Sequence, residues 1–309
     1  MTAIDRTVKF ATLVVQETRD NKKLARRLGE IRRQLGLVMP KLRKYIGQIR
    51  ADLSTALEQL WSCSLTLHND QSEPNGTENG RRHVEKVEDN IWRLIDESQS
   101  VQIDHFKKEE LFVLSAAACC HDFDKALKKY DPDSYPPGFV HGFGSADFVR
   151  KNYQTLGLVD KKVLAERICE VCQIHALKGR AFEEALDKLK VDEVTAEGPI
   201  NVYKLSIILK AADILHTDSS RTHTVGFKPE TLRGIYQSKY IARNCIEGWK
   251  IEGTSIVIEG KYEESVQHNA LLACKKYMEE EEWPFVGKYL KALSFPHKLN
   301  VNITRKTKV

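Results

Sequence analysis

Long apolar runs are missing from this sequence of 309 residues. The most apolar stretch near the N-terminus, FATLVV (residues 10–15), is far shorter than the roughly 20 residues that a membrane-spanning helix needs. It is also too short for the core of a signal peptide. We therefore expect a soluble, cytoplasmic protein that does not enter a membrane. From the length of the sequence we expect one large domain plus appendages, or two domains.

Paired cysteine motifs are also missing. The seven cysteines include several inside apolar helical segments (Cys119, Cys120 and Cys169), which is typical of reduced thiols rather than of a disulfide framework. Cys169 and Cys172 form one CxxC, but no second CxxC accompanies it, as a structural zinc site would require. The sequence therefore predicts no disulfides and no structural zinc at this motif.

Acidic and aromatic residues are scarce between Asn21 and Arg50. Ten lysines and arginines face a single acid there, Glu30, so the segment carries +9 while the rest of the chain sums to −4 of the formal +5. Apolar residues recur at helical spacing, which leaves the basic residues on an exposed face. That face is either a solvated or partner-binding surface, or a strip for nucleic-acid phosphates. Tyr45 is the only aromatic residue in this segment, so the segment gives no support for base stacking.

What the sequence does contain is a series of metal-binding residue types on five helix-associated segments. The series runs His83, His121-Asp122, His141, His175 and Asp213. An aspartate in a helix as apolar as KLSIILKAADILHT is costly unless it is paired, hydrogen-bonded or bound to metal. Imidazole with carboxylate suits Mn, Fe, Co, Ni or Zn, whereas Mg prefers oxygen ligands alone. We interpret the other histidines as structural: His68, His105, His223, His268 and His297.

The series resembles the motif order His…His-Asp…Asp of the HD-domain superfamily of metal-dependent phosphohydrolases, between Arg81 and Arg221. The pair lies in CCHDFDKA, which is similar to the family's His-Asp-x-x-Lys stretch and so aligns Lys125 with its basic residue. His141 and His175 resemble the further histidines of members that hold two metals. Two positions depart from the pattern: Asp124 stands where many relatives have Gly, and Ala176 where some have a further His.

The resemblance implies one or two divalent ions per chain, with Asp122 as the residue that bridges them and an activated water as the nucleophile. Lys125 would stabilise charge on the phosphoryl oxygens, or else be a surface lysine. We also expect substrate contacts from Lys178, Arg180 and Arg221, with an ordinary ion pair as the alternative for Arg221. His216 is either a structural neighbour of Asp213 or holds a ligand's orientation.

The predicted organisation is mainly α: a basic helical region (1–67), an HD-type core (81–225) and a small α+β extension (226–309) with the order strand, strand, helix, strand. Polar loops are expected at 68–80 and 131–138, the second of which would shape substrate access. The expected function is hydrolysis of a phosphoester in a nucleotide or another small phosphorylated molecule. A nuclease for single-stranded DNA or RNA is the first alternative. A non-catalytic nucleotide sensor or assembly partner is the second. For any of these functions, a homo-oligomer or, as the resemblance implies, an ATPase-type protein is a possible partner.

Overall fold

A computed structural model describes residues 41–49, 51–68, 80–130, 141–189, 200–222 and 233–306. The basic strip up to residue 40, the loop at 131–138 and the interior of the loop at 68–80 lie outside these residues, so the predictions made for them stay predictions. None of the described helices is both long and apolar enough to cross a membrane.

The described chain is mainly helical, with a small sheet near its C-terminus, and this confirms the predicted fold class. The elements are α1 (Lys41–Ile49), α2 (Ala51–Leu67), α3 (Arg81–Asp96), α4 (Lys108–Cys120), α5 (Phe123–Tyr130), α6 (Phe143–Asn152), α7 (Lys162–Ala176), α8 (Gly179–Lys188), α9 (Val202–Ile214), α10 (Gly234–Cys245), β1 (Ile246–Glu252), β2 (Ser255–Tyr262), α11 (Ser265–Lys276), α12 (Trp283–Ala292) and β3 (Lys298–Arg305). Short 3-10 turns lie at Ile103–His105 and Ser219–Arg221, and a π-helical turn (Tyr277–Glu282) joins α11 to α12.

The chain forms two compact units, each built from segments that are distant in sequence. The helical unit contains α1, α2 and α4 to α7. The sheet unit contains α3, α8 to α12 and the three strands. The predicted division at 1–67, 81–225 and 226–309 is a different description of the chain and stays a prediction.

Helix α4 is the centre of the helical unit. Every residue from Glu110 to Cys120 is buried, and the small side chains of its second half allow α2 and α7 to pack closely. Its N-terminus is capped by Glu110, whose carboxylate accepts a hydrogen bond from the Lys107 N–H at 3.1 Å. Ser64 of α2 donates to the Cys119 carbonyl at 2.7 Å. The C-terminal end of α4, where His121 and Asp122 follow, is therefore held rigidly.

In the sheet unit, Asn90 connects three elements. Its amide nitrogen donates to the Ala212 carbonyl of α9 at 2.9 Å, and its oxygen accepts from the Trp249 indole of β1 at 3.1 Å. Arg93, one turn further on α3, lies over the Trp249 ring, 3.8 Å from its centre. These contacts fix α3, which carries His83, against α9, which carries Asp213.

The sheet has the order β1-β2-β3, with β1 and β2 antiparallel and β2 and β3 parallel. The antiparallel pair is joined by Gly253 and Thr254, and Gly253 has the positive φ of 61° that a tight turn requires. The parallel pair needs a long crossover, which α11, the π-helical turn and α12 supply. The predicted order of strand, strand, helix and strand is therefore the observed one.

Candidate metal centre

Three buried residues of the helical unit bring their ligand atoms together. His121, Asp122 and His175 each offer one such atom, and these atoms lie within 4.8 Å of one another. His121 and Asp122 follow the end of α4, while His175 lies in the last turn of α7. Two imidazoles and a carboxylate at this spacing are a suitable donor set for a first-row divalent cation.

Backbone contacts determine which ring nitrogens of these histidines face the cluster. His121 Nδ1 lies 2.8 Å from the Ala118 carbonyl, and His175 Nδ1 contacts the Cys172 carbonyl. A carbonyl oxygen only accepts, so each Nδ1 carries the proton and each neutral ring keeps its lone pair on Nε2. His121 Nε2 lies 3.6 Å from Asp122 Oδ2. A lone pair facing a carboxylate is repulsive unless a cation or a proton lies between them, so these residues fit a metal.

His141, just before α6, lies close to the same Asp122 carboxylate. Its Nε2 is 3.8 Å from Asp122 Oδ1, and its ring centre is 5.2 Å from that of His175. Gly142 sets this position with a φ of +89°. A Cβ there would lie 2.5 Å from the Cys172 carbonyl oxygen and 2.8 Å from the Ala176 Cβ, so only glycine allows this approach to α7.

We call His121, Asp122, His141 and His175 the first half-set of the six-residue series. Asp124 and Ser145 support it, and sequence reasoning did not identify either of these two as functional. Asp124 Oδ2 accepts from the Gly142 N–H at 2.6 Å, while Ser145 Oγ donates to the His121 carbonyl at 2.9 Å and accepts from the Asp124 N–H at 3.0 Å. Burial, followed by the charge of Asp122, raises the pKa of Asp124 to about 6. The one sequence signal was the carboxylate at a position where many relatives of the resembled family have Gly.

Lys125 lies at this cluster. Its ammonium is 2.7 Å from Asp122 Oδ2, and its side chain is 24% exposed. The contact neutralises part of the charge of Asp122 and places a cation next to the candidate ligands. Its action on a phosphoryl group stays a prediction.

The sheet unit holds the second half-set, built on α3 and α9. His83 is fully buried, and its Nε2 lies 3.4 Å from Asp213 Oδ1. Its other ring nitrogen, Nδ1, lies 2.7 Å from Nδ1 of His216. His216 Nε2 is 3.0 Å from Ser220 Oγ, which donates to Asp218 Oδ1 at 2.5 Å.

The hydrogen bonds that link His83, His216, Ser220 and Asp218 can run in one consistent direction. The Asp218 carboxylate only accepts, so the Ser220 hydroxyl donates to it and accepts from His216 Nε2–H. Burial and the neighbouring His83 lower the pKa of His216 well below its usual value, so that ring is neutral and accepts at Nδ1. His83 then donates from Nδ1 and keeps its lone pair on Nε2, facing Asp213. This half-set also fits a cation, and the contact between His216 and His83 agrees with the orienting role that the sequence left as one alternative.

The basic residues predicted to bind substrate are placed separately within the sheet unit. Arg221 donates to the His216 carbonyl at 2.9 Å and lies 3.6 Å from Asp213 Oδ1. Lys178 contacts Glu282 at 2.9 Å, whereas Arg180 pairs with Glu184 and its side chain is 89% exposed. Arg221 is thus beside a candidate ligand, and Arg180 points to solvent.

The cysteines follow the sequence prediction, since all seven are free thiols. In the CxxC, Cys169 Sγ donates to the Ala146 carbonyl at 3.1 Å, and burial raises the pKa of Cys169 to about 12. Burial also raises the pKa of Cys172. Both thiols are therefore protonated at neutral pH.

Comparison with curated proteins finds no match to this chain. The family model described as HD-CE matches residues 73–291, which is more than two thirds of the sequence. The match starts before α3 and ends within α12, so it includes β1 and β2 together with the segments that carry all six candidate ligands. It confirms the resemblance to HD-type domains. The chain belongs to the HD-CE family.

Proposed function

We propose that this protein is a metal-dependent phosphohydrolase that cuts a phosphoester bond in a nucleotide or a related small phosphorylated molecule. The observation that carries the proposal is the same in both half-sets: a histidine Nε2 lies close to an aspartate oxygen, at 3.6 Å in the helical unit and 3.4 Å in the sheet unit. Membership of an HD-type family supports metal-dependent hydrolysis as the chemistry.

The residues proposed to hold the metal are the six of the sequence series. His121, Asp122, His141 and His175 come from the helical unit, and His83 and Asp213 come from the sheet unit. Under the proposal these residues hold one or two ions per chain, as the motif order of HD-type proteins implies. The imidazole-rich donor set favours Mn, Fe, Co, Ni or Zn over Mg.

The bound ions would supply a Lewis acid that activates water and polarises a phosphoryl oxygen. The protein's own residues do the positioning. Carbonyl contacts at Ala118 and Cys172 fix the rings of His121 and His175, and the Lys125 ammonium is held beside Asp122. There Lys125 would stabilise negative charge that develops on the phosphoryl group.

The test combines metal analysis with turnover of a substrate panel. Purified protein supplemented with Mn would be assayed on nucleotides, cyclic dinucleotides and single-stranded DNA and RNA. Asp122→Ala should remove the bound metal and abolish turnover. Asp147→Ala is the matched control, because this exposed carboxylate of α6 pairs with Lys151 instead. An unchanged rate in Asp122→Ala would remove the metal mechanism.

The same assays separate the proposal from its alternatives. A nuclease should lose affinity steeply with salt and should need Arg26, Arg27, Arg32 and Arg33, which lie outside the described residues. Activity on DNA or RNA that disappears when these four arginines are neutralised would favour the nuclease. Bound metal without turnover on the whole panel would favour the sensor or assembly partner.

A further inference from the structure

A cluster of positive charge lies around one tyrosine in the sheet unit. Lysines from three segments approach Tyr277 or Glu282, and an arginine lies near one of these lysines. We call them the Tyr277 cluster: Lys178, before α8; Lys210, on α9; and Lys239 and Arg243, on α10.

Tyr277 and Glu282 organise the cluster because they begin and end the π-helical turn. The tyrosine hydroxyl donates to Glu282, and Lys178 donates to the same carboxylate at 2.9 Å and to the tyrosine oxygen at 3.3 Å. The ammonium groups of Lys239 and Lys178 lie 4.8 and 6.0 Å from the centre of the Tyr277 ring. A π-helical turn is rare and often marks a functional position, here by bringing an aromatic ring and a carboxylate to the cations.

Two cations of the cluster lie close together on α10. Arg243 follows Lys239 by one helical turn, so the two cations share a face of α10. Burial, then Arg243 and Lys178, lower the pKa of Lys239. A half-buried ammonium that faces like charges loses stability as a cation, and a bound anion would restore it.

Lys210 relates the cluster to Asp213. Lys210 is buried, donates to the Leu177 carbonyl at 3.0 Å, and precedes Asp213 by three residues on α9. Residues three apart on a helix are neighbours. Lys210 therefore lies within one helical turn of a proposed metal ligand and also contributes to the charge around Glu282.

We propose that the Tyr277 cluster binds the phosphate chain of the substrate, which makes a molecule with two or more linked phosphates the preferred substrate class. This inference rests on the proposed phosphohydrolase function. Ammonium and guanidinium groups from several segments suit a chain of phosphates better than a single phosphate, because they spread charge over a longer anion. The Tyr277 ring gives the same site an aromatic face.

The first experiment measures binding of inorganic pyrophosphate by calorimetry. It uses the full-length protein with and without Asp122→Ala, so that binding at the metal centre is separated from binding at the cluster. Lys239→Gln should weaken binding about tenfold, whereas Glu282→Gln should tighten it severalfold by removing the competing carboxylate. Lys239→Arg should retain affinity. Lys250→Gln, an exposed lysine of β1 paired with Glu252 and Glu259, is the control.

The second experiment measures steady-state kinetics with Asp122 intact. Lys239→Gln should raise KM for a polyphosphate substrate by a similar factor and change kcat less than about twofold. A change in kcat alone would indicate a separate effector and would overturn the assignment to substrate.

The outcomes distinguish this inference from the proposed function. If Lys239→Gln weakens and Glu282→Gln tightens pyrophosphate binding, but the protein shows no turnover, the hydrolase is refuted and the anion site stands. Turnover that is intact, with Kd and KM unmoved by Lys239→Gln, would refute the anion site alone. Circular dichroism and thermal melting of each variant exclude loss of folding as the cause.

Discussion

The direction of the hydrogen bonds around His83 decides which of its nitrogens can bind a cation. If His216 is replaced, His83 loses the acceptor for its Nδ1 proton, and the ring is free to change tautomer and orientation. We expect His216→Ala to weaken metal affinity by about 10- to 100-fold. Competition with a chromophoric chelator measures this. His105→Ala, at an exposed histidine of the sheet unit, should change nothing, and equal affinity in both variants would contradict the orienting role.

Gly142 allows a second residue-scale prediction. Gly142→Ala places a methyl group against Cys172 and Ala176, so His141 must move away from Asp122. We expect weaker metal binding, with a loss of stability beyond the roughly 1 to 2 kcal/mol that a positive φ costs alanine. Gly234→Ala isolates that backbone cost, because Gly234 has a φ of +56° and no atom within 4 Å of the added Cβ. Matching melting temperatures and metal contents in the two variants would refute the steric argument.

The residue types of the site were visible in the sequence, but their supports were not. His121, Asp122 and His175 follow from a motif order, and the structure brings their ligand atoms together. The roles of Asp124 and His216 depend on hydrogen bonds to residues that a tertiary fold places beside them, and no local pattern encodes those contacts. Lys178 and Arg180 show the same limit, since two basic residues only two positions apart form ion pairs with different partners, Glu282 and Glu184.

At the scale of elements, Asn90 joins α3, α9 and β1 through a single side chain. Asn90→Ala would leave the Ala212 carbonyl and the Trp249 indole N–H buried with a partner removed. We expect a loss of about 2 to 4 kcal/mol in the free energy of unfolding. Urea denaturation measures it, with Asp89→Ala as the half-exposed neighbour for comparison. A loss below about 0.5 kcal/mol would mean that water replaces both hydrogen bonds.

The elements themselves were largely predictable. The order strand, strand, helix and strand was predicted for the C-terminal extension and is the order observed. The π-helical turn at Tyr277–Glu282, which joins α11 to α12, was not predicted. A π-helical turn adds about one residue per turn, which leaves almost no mark on the spacing of apolar residues. Packing of the elements on both sides selects this turn.

At the scale of the whole molecule, metal should stabilise the fold. A ligand that binds only the native state adds about 4 kcal/mol at a thousand times its Kd. We expect chelation to lower the melting temperature of the wild-type protein and to leave that of Asp122→Ala unchanged. Calorimetry in the presence of excess chelator tests this. An equal shift in both proteins would show that the stabilising metal is bound elsewhere.

Acid sensitivity should arise partly from His68, which is buried in the helical unit beside Phe123. Burial lowers the pKa of His68 from 6.5 to about 4, so the native state binds fewer protons than the unfolded chain between these values. Its contribution is therefore complete above pH 6.5 and is lost as the pH falls toward 4. Between pH 7 and 4.5, wild type should lose about 2 to 3 kcal/mol more than His68→Leu. His105→Gln is the exposed control, and parallel stability profiles would contradict the prediction.

The interleaving of the two units sets an order for their synthesis. Helix α3 belongs to the sheet unit, but α4 to α7 of the helical unit follow it in the chain, and the carbonyl bound by Asn90 comes 122 residues later. The apolar face of α3 leaves the ribosome long before the segments that cover it. Contacts so distant in sequence slow folding and prolong the exposure of apolar surface. During synthesis the nascent chain is therefore exposed to aggregation through this face of α3.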